Sequence, residues 1–179
     1  MQLMAMPAAT SEEDATIRAA MDGDRAAFGE LYVRYARIVH AILLARVPPG
    51  DAEDLVQDVF MSAMRQLRGL RTASAFRGWL SAIARNRAID YHRESRDRIS
   101  LEDAAPGDLP PSGEANQDSF LVMAAIRALP EAYRETLIMR LVEGMTGPEI
   151  AERTGLTPDS VRVNLCRGMK MLREKLEMK

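Results

Sequence analysis

The stretch TGPEIAERTGLTPDSVRVNLCRGMKML, Thr146 to Leu172, decides the fold of its part of the chain and asks what the remainder is for. Thr146 and Glu149 stand in the T-x-x-E spacing of a capping box, and Pro148 falls in the first turn, where its missing N–H removes no helical bond. From that helix Ile150 and Ala151 are expected to face inward. Gly155 supplies the turn, and Thr157 followed by Pro158 starts a second helix. This is the pattern of a helix-turn-helix. At about 100° per residue, the second helix places Val161, Leu165, Leu172 and Leu176 on one stripe with Met169 beside it. The opposite side carries Asp159, Arg162, Val163, Cys166, Arg167 and Lys170, and is free to meet DNA.

A DNA-reading helix presents its amino-terminal part to base edges, while flanking cations hold phosphates. Arg162 lies near the amino end, where the helix dipole disfavours a cation. Its fork is therefore the candidate for guanine O6 and N7, a discrimination of about 1–3 kcal/mol. Arg167, Lys170 and Arg173 lie farther along and suit phosphate.

The chain of 179 residues has a formal net charge of -2, which by itself argues against nucleic acid. The average conceals segregation. Residues 100–118, SLEDAAPGDLPPSGEANQD, hold five acids, no Lys or Arg, three prolines and two glycines, the composition of a linker. Nine arginines lie from Arg65 to Arg98, against Asp90, Glu94 and Asp97. Six basic residues from Arg162 to Lys179 face only Glu174 and Glu177. Two separate basic surfaces result. The composition, 47% hydrophobic and 28% charged, is that of a globular protein. The single cysteine, Cys166, excludes an intrachain disulfide, and His40 and His92 are scattered, so no metal or other cofactor is expected. No signal peptide and no run of apolar residues long enough to span a membrane is present, so the expected location is the cytoplasm.

Helical periodicity runs through the rest, and the predicted fold class is all-α. A first helix runs from Ser11 to about Met21 and is broken by Asp22-Gly23. From Asp24, the set Phe28, Leu31, Tyr32, Tyr35, Val39, Ile42 and Leu43 predicts a long helix ending before Pro48-Pro49-Gly50. Asp51 is expected to cap a third helix with apolar face Leu55, Val59, Phe60, Ala63 and Leu67. Ser74 is expected to cap a fourth, with Phe76, Trp79, Leu80 and Ile83 on one side. Two helices, Phe120 to Leu129 and Glu131 to Val142, follow the linker.

On the third helix Asp54, Gln57, Asp58 and Met61 form a polar, acidic stripe beside the apolar face, suited to a basic protein partner. FRGWLSAIARNRAIDYHRESR combines an aromatic core with Arg85, Asn86, Arg87, Arg93 and Arg96. RGLRTAS before it offers small and cationic residues around an unstacked base. GDRAAFGELYVRY, DAEDLVQDVF, FRGWLSAIARNRAIDYHR and LPEAYRETLIMRLVEGMTGPEIAERTGLTPDSVRVNLCRGMKMLRE, in that order, resemble a bacterial sigma factor of the extracytoplasmic-function group of the sigma-70 family.

The resemblance implies a tail over residues 1–10, a region 2 domain over 11–99, the linker, and a region 4 helix-turn-helix domain over 119–179. It implies docking on the clamp helices of core RNA polymerase through Asp54, Gln57, Asp58 and Met61, with Phe60 on the supporting face. It implies minus-ten promoter contacts from Arg68, Arg71, Ser74, Asn86, Arg87 and Arg93. Thr157, Asp159, Ser160, Arg162, Val163, Arg167 and Lys170 would meet the minus-thirty-five element, with the polymerase flap touching the same domain. An anti-sigma factor is the implied regulator. Asn164, Met169 and Met171 stand where relatives often carry basic residues, which weakens the expected phosphate anchoring. A dimeric helix-turn-helix regulator is the rival reading, and would bind palindromic duplex sites without polymerase. An enzyme is not expected: the sequence offers no phosphate-binding glycine loop and no nucleophile-base motif, and so no small-molecule substrate.

Overall fold

The computed structural model describes residues 11–99 and 117–177, and among these every regular element is helical. The expected tail and most of the expected linker lie outside the described residues. The chain divides into two compact units, one containing α1 to α4 and the other α5 to α8.

In the first unit α1 spans Ser11–Met21, α2 Arg25–Leu44, α3 Pro49–Gln66 and α4 Phe76–Ile99. The break after α1 is a Schellman turn. Gly23 takes φ +103°, its N–H donates to Ala20 O and the N–H of Asp24 donates to Ala19 O. Asp24 then caps α2, its Oδ1 accepting from the N–H groups of Ala26 and Ala27 at 2.8 and 3.2 Å.

Two helix starts differ from expectation. α3 begins at Pro49 behind Pro48, so Asp51 sits in its first turn rather than at the cap. Proline presets the helical φ and lacks an N–H that would have gone unpaired there anyway, so the two prolines start the helix unaided. Ser74 does not cap α4: a 3-10 turn, Ala73–Ala75, intervenes, and the Ser74 hydroxyl donates to Thr72 Oγ1 at 3.3 Å.

The core of this unit joins Ile17 of α1 with Leu31, Tyr35, Val39 and Ile42 of α2, Leu55, Val59 and Phe60 of α3, and Phe76 and Leu80 of α4. The buried stripe of α4 continues through Ala84 and Ala88, at steps of four, and small side chains there let the helix lie close to its neighbours. Trp79 and Ile83 are only half buried. Phe76 meets Trp79 at 5.8 Å and Tyr35 at 5.2 Å between ring centroids, the second edge-on.

The second unit contains α5, Gln117–Arg127, α6, Glu131–Leu141, α7, Gly147–Thr154, and α8, Pro158–Glu177. α5 starts three residues before the expected Phe120 and so takes in the end of the expected linker. Ile150 and Ala151 of α7, Met139 of α6 and Val161 of α8 form a buried cluster, with Met145 and Leu165 packed against it. Gly168 is the close-approach point of α8 on α6. A Cβ there would lie 3.1 Å from Leu137 Cδ1 and 3.3 Å from Tyr133 Cβ.

Candidate promoter and polymerase interfaces

The helix-turn-helix forms as its caps dictate. Thr146 N–H and Oγ1–H both donate to Glu149 Oε2, at 2.6 and 2.7 Å, closing the capping box. Gly155 takes φ +71°, which only glycine adopts without strain, and ends α7 by donating to Ala151 O. At the start of α8 the Ser160 N–H donates to Thr157 Oγ1 at 3.2 Å, and the Thr157 hydroxyl donates to Ser160 Oγ at 2.9 Å.

Val161 and Leu172 are buried, with Leu165, Met169 and Leu176 at the edge of the core. Asp159, Arg162, Val163, Cys166, Arg167 and Lys170 are all exposed, as the helical wheel requires. Arg162 pairs with Asp159 at 3.2 Å and Lys170 with Glu174 at 4.0 Å. Pairs this exposed hold their cations weakly, so both remain available to phosphate or base. An open groove of about 900 Å³ is lined by Arg162, Cys166 and Lys170 of this face together with Leu137, Arg140 and Leu141.

In the first unit α3 presents Asp54, Gln57, Asp58 and Met61 to solvent while Leu55, Val56, Val59 and Phe60 are buried behind them. The sequence stripe is therefore a real surface. Met61 and Met64 add exposed apolar area to it. Arg68, Arg71 and Ser74 are exposed between α3 and α4, and Asn86 and Arg93 are exposed on α4, Arg93 pairing with Asp90 at 3.1 Å.

Two arginines depart from the sequence reading. Arg85 is buried, only 8% exposed, because it follows Ser81 by one helical turn on the face that packs inward. It does not belong to a basic surface. Arg87 bridges α3 and α4, its Nε donating to Asp58 Oδ2 at 3.0 Å and its Nη1 to Glu94 Oε1 at 3.3 Å. It thus ties an expected DNA-contacting residue to an expected polymerase-contacting one.

Other polar links were invisible in sequence. Glu13 of α1 is buried and accepts the Tyr35 hydroxyl at 2.6 Å, with Arg34 Nη1 at 3.6 Å from the same oxygen. Burial, then the hydrogen bond to Glu13 and its charge, pushes the Tyr35 phenol well above its ordinary range, against a smaller opposing effect of Arg77 and Arg34. The hydroxyl of Tyr91 donates to Asp51 Oδ2 at 2.7 Å, and His92 Nε2 lies 2.7 Å from the carbonyl oxygen of Arg46, for which it must carry the proton. His92 is thus a fastener between α4 and the α2–α3 corner. Burial lowers the pKa of His40, against an opposing effect of Glu53. Among the described residues no cluster of His, Cys, Asp and Glu is arranged to hold a metal, and no helix is long and apolar enough to cross a membrane.

Residues 31–98 match the family described as Sigma-70 region 2, and residues 119–172 match Sigma-70, region 4. The chain is 33% identical over 165 residues to the RNA polymerase sigma factor CarQ of Myxococcus xanthus, covering 87% of this chain and 92% of that one. It is 32% identical over 170 residues to the ECF RNA polymerase sigma-E factor of Escherichia coli K12, covering 87% and 89%. Among solved structures, CnrH in complex with the cytosolic domain of CnrY shares the fold at a TM-score of 0.64 and 24% identity, over 93% of this chain and 98% of that one. The sigma factor RpoE bound to the anti-sigma factor NepR from Bartonella quintana does so at 0.67 and 21%, over 84% and 96%.

Proposed function

Because the chain belongs to the extracytoplasmic-function sigma factors of the sigma-70 family, we propose that it docks on core RNA polymerase through the exposed face of α3 and reads promoters with both of its units. It is an alternative sigma factor, directing promoter-specific initiation, and not a dimeric operator-binding regulator. The observation that carries the docking reading is the division of α3. One side is buried in the core, and the other holds Asp54, Gln57, Asp58 and Met61 in solvent at helical spacing. A helix whose charged side is mostly acidic, with an exposed methionine beside it, suits a cationic protein surface.

Residues 11–99 act as the region 2 domain and residues 119–179 as the region 4 domain. The promoter strand at the minus-ten element meets Arg68, Arg71, Ser74, Asn86 and Arg93, with Arg87 standing between that surface and the docking face. Exposure of all five supports this assignment. Thr157, Asp159, Ser160, Arg162, Val163, Arg167 and Lys170 meet the minus-thirty-five element, Arg162 reading a base and the later cations holding phosphate. Neither reader needs high affinity, because joining them on one chain and on polymerase raises the effective concentration of the second once the first is bound.

The factor works in the cytoplasm, carries out no chemistry itself, and is held inactive by an anti-sigma factor. The structural relative RpoE, solved with the anti-sigma factor NepR, supports that partner. The test is run-off transcription with purified core polymerase on a promoter pool, using wild type and the Asp54→Arg/Asp58→Arg variant. Selective transcripts from wild type alone are expected. Polymerase-independent, tight binding to palindromic duplex DNA would overturn the reading.

A further inference from the structure

A second feature of the first unit lies partly outside the segment that matches region 2, which starts at residue 31. Between the α1–α2 turn and the end of α3 is a cleft of about 300 Å³, with Arg25, Arg65 and Arg68 in its walls and Phe28 and Leu67 also lining it. The three arginines come from three elements: the first residue of α2, the last turn of α3 and the 3-10 turn after it. Among the described residues none of the three has an ion pair or hydrogen bond from its side chain, whereas Arg18, Arg34, Arg87, Arg93 and Arg162 each face a carboxylate.

The only acid in the cleft wall is Asp24, and its Oδ1 is already occupied by two backbone N–H groups of α2. Arg25 moreover stands at the start of α2, where the helix dipole opposes a cation. Ordinary surface design would place an acid at such a position. Gly23 contributes to the shape: a Cβ there would stand 3.1 Å from Arg68 Nη2, so the missing side chain makes room for this guanidinium across the turn. The cleft thus gathers uncompensated guanidinium groups beside apolar walls, which concentrates a positive field.

We propose that this cleft is a phosphate-binding site, filled in the initiating complex by a phosphodiester of the promoter strand. Guanidinium forks match phosphate oxygens, and three of them from separate elements surround a single anion better than any one could. Arg68 belongs both to the cleft and to the loop assigned above to the minus-ten element, so a strand crossing that loop reaches the cleft without a gap. The proposal rests on that assignment. A free nucleotide carries the same chemistry and is the other source of phosphate.

The experiment measures affinity of the assembled holoenzyme for a promoter fragment across a salt series, with wild type, Arg25→Gln, Arg65→Gln and, as a control of equal charge change outside the cleft, Arg18→Gln. Each cleft variant is expected to make the log-log salt slope shallower by about 0.7–0.9, the release of one counterion, with base preference unchanged. Arg25→Lys is expected to keep most of the slope. In a second arm, pyrophosphate and a nucleoside triphosphate are titrated into the free full-length protein. Saturable binding that is lost in both cleft variants would assign the site to a free nucleotide.

Unchanged slopes together with no saturable anion binding would overturn the site, as would an equal loss with Arg18→Gln. Failure of the parent reading looks different: wild type would then give no polymerase-dependent transcript, and the titration arm alone would decide whether the cleft binds phosphate.

Discussion

Each unit is internally fastened by polar contacts, and those named here differ in reach between the two. In the amino-terminal unit, beside local links such as Arg93 to Asp90 and the Asp24 cap, side-chain links cross between elements: Tyr35 to Glu13, Arg87 to Asp58, Tyr91 to Asp51 and His92 to Arg46, at separations of 22, 29, 40 and 46 residues. In the carboxy-terminal unit several side-chain links join near neighbours. Thr146 bonds Glu149, Thr157 bonds Ser160, Arg162 pairs with Asp159, Lys170 with Glu174, and Arg140 donates to Met145 O, none more than five residues apart. The first unit therefore uses polar side chains not only to cap α2 but also to fix how helices sit on one another. In the second, most of the links named here start helices or run along them, and Met139, Ile150, Val161 and Gly168 supply apolar contacts between helices.

This difference suits the proposed tasks. A surface that presents the acidic face of α3 beside the arginines of α4 must keep two helices in register, and the Asp58–Arg87 link lies between those surfaces. A reading helix needs a well-set amino terminus and an outward face, which caps and a glycine turn supply.

The contrast can be broken experimentally at several points. The largest expected effect is that of Asp54→Arg/Asp58→Arg on polymerase binding. Reversing two charges at a complementary surface costs several kcal/mol, roughly a hundredfold or more in affinity, with the helical content of the protein unchanged. Binding assays with core polymerase, checked by circular dichroism, measure both parts.

Next is Gly168→Val, which forces a side chain into the α6–α8 contact and is expected to destabilise the carboxy-terminal unit by about 1–3 kcal/mol. The single tryptophan, Trp79, reports only on the other unit. A urea transition that moves by circular dichroism but not by Trp fluorescence would show that the units unfold separately. Movement of both together would end the picture of two independent packings.

Arg162→Ala is expected to relax discrimination at one minus-thirty-five position by about 1–3 kcal/mol while leaving minus-ten preference intact. A uniform loss across all promoter variants would mean that Arg162 holds phosphate instead. Transcription from a library randomised at both elements distinguishes the outcomes.

The smallest effect concerns the buried Tyr35–Glu13 link. Folding holds the Tyr35 proton more tightly than the unfolded chain does, so its contribution is complete below the ordinary phenol pKa of about 10 and declines as pH rises above it. The stability advantage of wild type over Tyr35→Phe should shrink in that range. An advantage that stays constant through alkaline pH in denaturant titrations would mean that the hydroxyl does not stabilise the α1–α2 contact.

Whatever depends on near neighbours along the chain was legible before any packing was known. The capping box of Thr146 and Glu149, the turn at Gly155, the Thr157 start and the two faces of α3 and α8 all follow from spacings of three or four residues, and the chain adopted them as read. The order of four motifs added the family. Tertiary structure decided the rest. It buried Arg85, turned Arg87 toward Asp58, placed Glu13 under Tyr35 and brought Gly168 against Leu137. A helical wheel gives the direction of a side chain relative to its own axis, but its partner belongs to another helix whose rotation and height are set by the packing of the whole unit. Ser74 and Asp51 mark the same boundary: each is a good cap by residue type, yet the backbone around it entered the helix by another route, and propensity gave way to the geometry of the corner.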